Sequence, residues 1–248
     1  MKSPLRPDAE RSVQRHVSTE LEWLSLLRGG GGLVKIDGLR EPQHAAAAAA
    51  SGADLLGFIF APARRQVSAA MARACIDAGR DAAEGRTVVA VGVFVDASPS
   101  EIAAVVDEAG LDVVQLHGEE PPESLLNVRA PVFKALRPKP EAIATDVIAE
   151  INRYRSTATP PIGFLIDGYS EQASGGTGAR ADWVVAAEIN AEIPILLAGG
   201  LDAENVSAAI RRVRPWGVDV SSGVEIGGVK DADRIAAFIR AARAAFAA

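Results

Sequence analysis

Beyond residue 32 the chain alternates between short apolar runs and longer stretches with helical spacing. The runs cover residues 33–37, 55–60, 88–95, 113–117, 132–136, 163–167, 194–198 and 217–221. Several are almost continuously apolar, as in Leu55-Leu56-Gly57-Phe58-Ile59-Phe60, the pattern of strands buried on both faces of a parallel sheet. Helices are expected between and after them over residues 42–51, 68–83, 99–109, 122–129, 140–155, 181–191, 203–213 and 231–246. Ser68, Ser98-Pro99 and Asp202 stand where helices start, and Gly52 and Gly110 where they stop. Eight βα units in roughly 215 residues match the count and size of an α/β protein of the (β/α)8 TIM-barrel class. A doubly wound open sheet usually has fewer strands, and no G-x-G-x-x-G follows the first run. No break in composition follows residue 32, so residues 33–248 read as one barrel domain.

Residues 1–32 differ in character. Val13, Val17, Leu21, Leu24 and Leu27 recur at spacings of three and four, an amphipathic helix signal. Asp8 is its candidate N-cap, and Gly29 to Gly32 read as a linker. Such an N-terminal extension closes one end of the domain or meets a second copy in a homodimer. Glu10, Glu20 and Glu22 among the basic residues argue against a membrane-surface helix.

A formal net charge of −6 argues against a general nucleic-acid surface. No apolar run is long enough to span a bilayer. The single cysteine, Cys75, excludes an intramolecular disulfide framework and a cysteine-cluster metal site, and its helical setting suggests a packed core thiol. The charged N-terminus has no signal-peptide core, so a cytoplasmic location is expected.

In a parallel barrel the residues just after each strand form the active face. Here they are Asp37, Arg64-Arg65, Asp96, His117, Arg137, Asp167, Gly199-Gly200 and Ser221-Ser222-Gly223. Lys35 and Asp37 are two apart on the first strand and share a face. Asp37 could instead cap the helix at Pro42, but it lies far upstream for that. Loops after strands 7 and 8 of such barrels often bind phosphate through backbone N–H groups, and the glycines and serines of the last two loops suit that use. Asp37 and Asp167 can face each other across the mouth, where environment can separate two carboxylates into an acid and a base. Asp167 could also be a helix cap or an ion-pair partner. Arg65 could grip a carboxylate bidentately or belong to a solvated charge pair. His117 suits either a catalytic or a packed, hydrogen-bonded role. The long loop from Gly168 to Arg180 suits a lid or a plain surface excursion. Lys35 and Lys134 leave Schiff-base chemistry open beside a simpler role as charge partners.

Several segments, in order over residues 33–246, resemble the phosphoribosylanthranilate isomerase family of tryptophan biosynthesis. They include Val34-Lys35-Ile36-x-Gly38-Leu39, Gly57-Phe58-Ile59-Phe60-Ala61-Pro62, Gln115-Leu116-His117-Gly118-Glu119-Glu120, Gly175-Gly176-Thr177-Gly178, Leu197-Ala198-Gly199-Gly200-Leu201 and Asp219-Val220-Ser221-Ser222-Gly223-Val224-Glu225. The resemblance implies an Amadori rearrangement of a small phosphorylated ribosylamine substrate, without cofactor or metal. A general acid opens the furanose ring and a general base removes the C2′ proton. The family acid falls on Asp167, the arginine that meets the anthranilate carboxylate on Arg65, and the phosphate loops on Gly199-Gly200 and Ser221-Ser222-Gly223.

The family base is a cysteine, and Asp37 stands in its place. An ordinary Asp has a pKa of about 3.9 against about 8.5 for Cys, so Asp37 is the weaker base unless burial or Asp167 raises its pKa. Gln66, Ala179 and Ala181 are further departures. Three readings follow: an isomerase with an altered base, a paralogue using another phosphorylated substrate in lyase, aldolase or other acid–base chemistry, and a non-catalytic phosphometabolite-binding protein.

Overall fold

A computed structural model describes residues 32–168 and 181–248. The expected helix over residues 8–28, most of the glycine linker and most of the loop between Gly168 and Arg180 lie outside the described residues.

Eight parallel strands close into a barrel in sequence order. They are β1 (Leu33–Ile36), β2 (Leu55–Ile59), β3 (Val89–Phe94), β4 (Val113–Leu116), β5 (Val132–Leu136), β6 (Gly163–Ile166), β7 (Ile195–Leu197) and β8 (Gly217–Val220). Pairing of Leu33 with Gly217 and of Lys35 with Asp219 joins β1 to β8. Each expected apolar run contains one of these strands.

Outside the barrel are α1 (Pro42–Ser51), α2 (Ala69–Ala82), α3 (Pro99–Ala109), α4 (Ala144–Arg155), α5 (Trp183–Glu192), α6 (Val206–Val213) and α7 (Ala232–Phe246). Ser68 caps α2, and Ser98 with Glu101 forms a capping box on α3. Gly52 and Gly110 end α1 and α3 in the left-handed conformation. Three details differ from the sequence expectations. Residues 122–127 form a 3-10 turn rather than an α-helix: Ser124 and Val128 donate to carbonyls three residues back, on Pro121 and Leu125, and Val128 then leaves in extended conformation towards β5. Helix α6 starts at Val206, and Asp202 instead accepts the Glu204 and Asn205 backbone N–H groups in a preceding turn. A short hairpin, β9 (Glu225–Ile226) with β10 (Val229–Lys230), follows β8.

Strand alternation divides the core in two. Leu33, Leu55, Val89, Val91, Val113, Phe133, Leu165 and Leu196 fill the barrel interior, while a larger apolar layer joins strands to helices. Phe133 meets Trp216 edge-on at 6.2 Å, at the end of the barrel remote from the strands' C-termini. Cys75 is buried in the outer layer, and burial, with Glu41 nearby, pushes its thiol up to about 11. It is the packed thiol expected.

Candidate active site

The same alternation aims Lys35, Asp37 and Asp219 inward at the C-terminal end of the barrel. Lys35 is fully buried and its Nζ donates to Asp37 Oδ1 at 2.7 Å and Asp219 Oδ2 at 3.2 Å. Burial opposes its charge, but Asp219 and Asp37 outweigh burial and raise its pKa. A lysine nucleophile must be neutral, so Lys35 is poorly suited to Schiff-base chemistry.

Lys134 is excluded from the mouth by geometry. Phe133 and Ala135 point into the barrel, so Lys134 points out. There its Nζ donates to the Gly118 carbonyl at 2.7 Å and Glu120 at 2.9 Å. Both lysines serve carboxylates, which removes the footing of the lyase or aldolase reading.

Asp37 is buried at the end of β1. Burial pushes its pKa up, but attraction and hydrogen bonding from Lys35, with help from Lys230 and His117, bring it below the ordinary value. The expected rise is therefore not found: the nearest charge is a cation, not Asp167. Asp37 is ionised and ready to accept a proton, with low intrinsic basicity.

His117 ends β4 and connects to the opposite wall. Its Nδ1 lies 2.8 Å from Gln115 Nε2 and its Nε2 lies 3.2 Å from Asp167 Oδ2. Asp167 Oδ1 accepts the Gly168 backbone N–H at 2.7 Å. With the Gln115 amide donating to Nδ1, Nε2 carries the ring proton and donates to Asp167. With that amide turned over, Gln115 accepts from Nδ1 and Nε2 accepts from a protonated Asp167. The pair accommodates either state of the carboxyl group. Among the described residues Asp167 caps no helix; that role on α5 belongs to Asp182.

Arg65 is buried, and Glu225 grips it through Nε at 2.6 Å and Nη2 at 3.0 Å. It is not a solvated charge. Arg64 is half-exposed and reaches the same carboxylate at 2.8 Å. Lys230 donates to Glu225 Oε1 at 3.0 Å and to the Ser221 carbonyl at 2.8 Å, and burial pushes its ammonium down to about 8. These cations hold Glu225 down to about 2 against its burial.

The β7 and β8 loops meet beside this cluster. Gly199 and Gly200 both have positive φ, and a side chain on Gly199 would strike the backbone of Gly168 and Ala181. Asn205 donates to the Gly200 carbonyl, and the Ser221 hydroxyl donates to the Asp37 carbonyl at 3.2 Å. The turn Ser222–Val224 follows directly, with Gly223 packed against Leu201. The structure thus brings Asp37, His117 and Asp167 into one electrostatic network and places Arg65 and the two loops beside it. A separate cavity of about 520 Å³ lies off the barrel axis, bounded by Lys134, Arg137 and Tyr154.

Sequence reasoning missed Asp219, Glu225, Lys230 and Gln115. Inward alternation on β8 could have flagged Asp219. The other three depend on contacts that periodicity does not encode.

Comparison with known proteins gives a consistent result. Residues 34–241 match the family model described as N-(5'phosphoribosyl)anthranilate (PRA) isomerase. The chain is 43% identical over 215 residues to the N-(5'-phosphoribosyl)anthranilate isomerase of Roseiflexus castenholzii, covering 86% of this chain and 99% of that protein. It is similar to a solved structure of monomers made from the dimeric Thermotoga maritima enzyme, with 35% identity, a TM-score of 0.69, and 86% and 98% of the two chains covered. It is also similar to a phosphoribosyl anthranilate isomerase solved with reduced 1-(o-carboxyphenylamino)-1-deoxyribulose 5-phosphate, with 34% identity, a TM-score of 0.69, and 86% and 98% covered. Among the described residues, no helix is long and apolar enough to cross a membrane.

Proposed function

The chain belongs to the N-(5'-phosphoribosyl)anthranilate isomerase family and has its activity, an intramolecular oxidoreduction in tryptophan biosynthesis, and from that premise we propose that Asp167 is its general acid and Asp37 its general base. Asp167 gives a proton to the furanose ring oxygen. The C1′–O bond breaks and the nitrogen lone pair forms the C1′=N bond of a Schiff base. Asp37 then takes the C2′ proton. The C–H pair forms a C1′=C2′ bond while the C=N pair returns to nitrogen. Tautomerisation of the enolamine yields the 1-deoxyribulose product.

The observation carrying this reading is the His117 link. His117 bonds to Asp167 and lies within electrostatic reach of Asp37. Its imidazole and Gln115 suit Asp167 with or without a proton, as an acid that must be reloaded requires. Lys35 keeps Asp37 ionised, as a base must be before each turnover.

Arg65 is assigned to the anthranilate carboxylate, supported by its rigid hold on Glu225. Gly199, Gly200, Ser221, Ser222 and Gly223 are assigned to the phosphate, supported by the positive φ of Gly199 and Gly200, by the turn Ser222–Val224 beside them and by the phosphorylated analogue bound to the related isomerase. A homodimer is proposed by analogy with the dimeric Thermotoga maritima relative. A cytoplasmic location is proposed, supported by the tryptophan-biosynthesis activity.

Steady-state turnover of N-(5'-phosphoribosyl)anthranilate tests the pair. Asp167→Asn and Asp37→Asn should each lose about 10²–10⁴-fold in kcat, the scale of a general acid or base. Asp37→Cys, which restores the family residue, should remain active. Full turnover by either asparagine variant would refute the role of that residue.

A further inference from the structure

Three charged side chains share the inner face of β1 and β8. Lys35 and Asp219 are paired across the strands. Lys35 Nζ is 2.7 Å from Asp37 Oδ1 and 3.2 Å from Asp219 Oδ2, and all three residues are buried. One cation therefore serves two carboxylates. Asp37 alone would neutralise Lys35, so Asp219 is surplus to a simple buried ion pair. Its Oδ1 is enclosed without a hydrogen-bond partner, an arrangement that stability alone does not favour.

We propose that Asp219 is a positioning residue for the isomerisation: it competes with Asp37 for the Lys35 ammonium, making Asp37 a better base than a one-to-one ion pair would allow, and remains as the counterion of Lys35 once Asp37 is protonated. This rests on Asp37 being the base. In a one-to-one pair, protonating Asp37 would strand a buried ammonium, which is strongly unfavourable. With Asp219 ionised, the cluster begins with one positive and two negative charges. The C2′ proton moves from the cationic Schiff base to Asp37. The substrate becomes a neutral enolamine, and the cluster becomes Lys35⁺, neutral Asp37 and Asp219⁻. Charge is cancelled on both sides of the transfer.

The groups facing Asp219 are Lys35 and Asp37 from β1 and Asp167 beyond β6. His117 beyond β4 and Lys230 of β10 act on Asp37. Burial pushes Asp219 up to about 7; Lys35 opposes the rise, while Asp37 and Asp167 add to it. The ionised form thus grows as pH rises through neutrality, and kcat should rise with it. Lys230, pushed down to about 8, adds its own titration. Asp219→Asn leaves Lys230 in place, so the difference between the two pH profiles isolates Asp219.

The test is kcat and KM for N-(5'-phosphoribosyl)anthranilate across the neutral range, in the full chain and in its Asp219→Asn and Asp37→Asn variants. The parent should show a rising limb in kcat near neutrality. Asp219→Asn should lose that limb and fall about tenfold or more in kcat, with KM changed by less than about twofold. A variant with the parent's kcat and limb overturns the proposal, as does a fall in kcat with the limb intact. Circular dichroism checks folding of Asp219→Asn; if it does not fold, Asp219→Ser takes its place under the same criteria, and a parent profile flat through neutrality overturns the proposal in either case. Full activity in Asp37→Asn would overturn the base assignment itself, a different result from failure at Asp219 alone.

Discussion

The Asp37 carboxylate occupies space left open by a glycine on the next strand. A Cβ built on Gly57 of β2 would overlap Asp37 Oδ1. Gly57 has no positive φ, so alanine would meet a spatial conflict there rather than backbone strain. Gly57→Ala should displace Asp37, break its 2.7 Å bond to Lys35 and lower kcat by about 10²-fold, the cost of misplacing a reacting group by roughly 1 Å. Added to Asp37→Asn, it should bring little further loss. Parent-like kcat in folded Gly57→Ala would show that Asp37 does not need this space. The place of Asp37 was legible because strand ends in parallel barrels are where chemistry collects. Its lowered pKa was not legible, since Lys35 sets it with help from Lys230 and His117, and those last two come near Asp37 only after the barrel closes.

The segment after β8 acts as a brace. Glu225, at the start of the β9–β10 hairpin, ties Arg64, Arg65 and Lys230 together, and Lys230 in turn holds the Ser221 carbonyl. A cut through this brace should loosen both the arginine and the serine loop. Glu225→Gln should raise KM about tenfold, as expected when a charged hydrogen bond of about 1.5–3 kcal/mol is weakened. It should change kcat less than KM. The Glu225 pKa is depressed from 4.5 to about 2. Its contribution to stability is present above the ordinary carboxylate pKa and is lost as pH falls through that range towards about 2. Parent acid-unfolding profiles should therefore be steeper over this interval than those of Glu225→Gln; superimposable profiles would refute the brace. The eight barrel strands were readable because each is an apolar run of several residues. The hairpin was not, because Glu225-Ile226 and Val229-Lys230 are too short to show alternation around Gly227-Gly228. The turn at residues 122–127 carried a helical pattern, but its bonds span three residues and the chain turns extended at Val128 towards β5.

The whole barrel closes where its first and last strands meet, and that seam begins one residue earlier than the apolar pattern indicates. Gly32 donates its N–H to the Trp216 carbonyl at 2.8 Å, and its own carbonyl accepts from Arg243 of α7 at 2.6 Å. Arg243 also reaches the Gly52 carbonyl and Asp54, so one side chain joins the chain's entry to β1, the end of α1 and the last helix. The site residues assigned above all lie beyond Gly32, and each is held by described residues. We therefore propose that residues 1–31 are dispensable for chemistry. A chain beginning at Gly32 should fold and turn over N-(5'-phosphoribosyl)anthranilate within about twofold of the full chain in kcat/KM, because no assigned transition-state contact is removed. One beginning at Leu33 loses both Gly32 hydrogen bonds. It should retain the same chemistry but be less stable by about 1–3 kcal/mol, the range for two lost bonds of which one engages a charged donor. Thermal unfolding measured beside kcat/KM separates these effects. If the chain beginning at Gly32 folds with the parent's stability yet has no turnover, residues 1–31 contribute to the site and the assignment of a complete active face to the barrel is wrong.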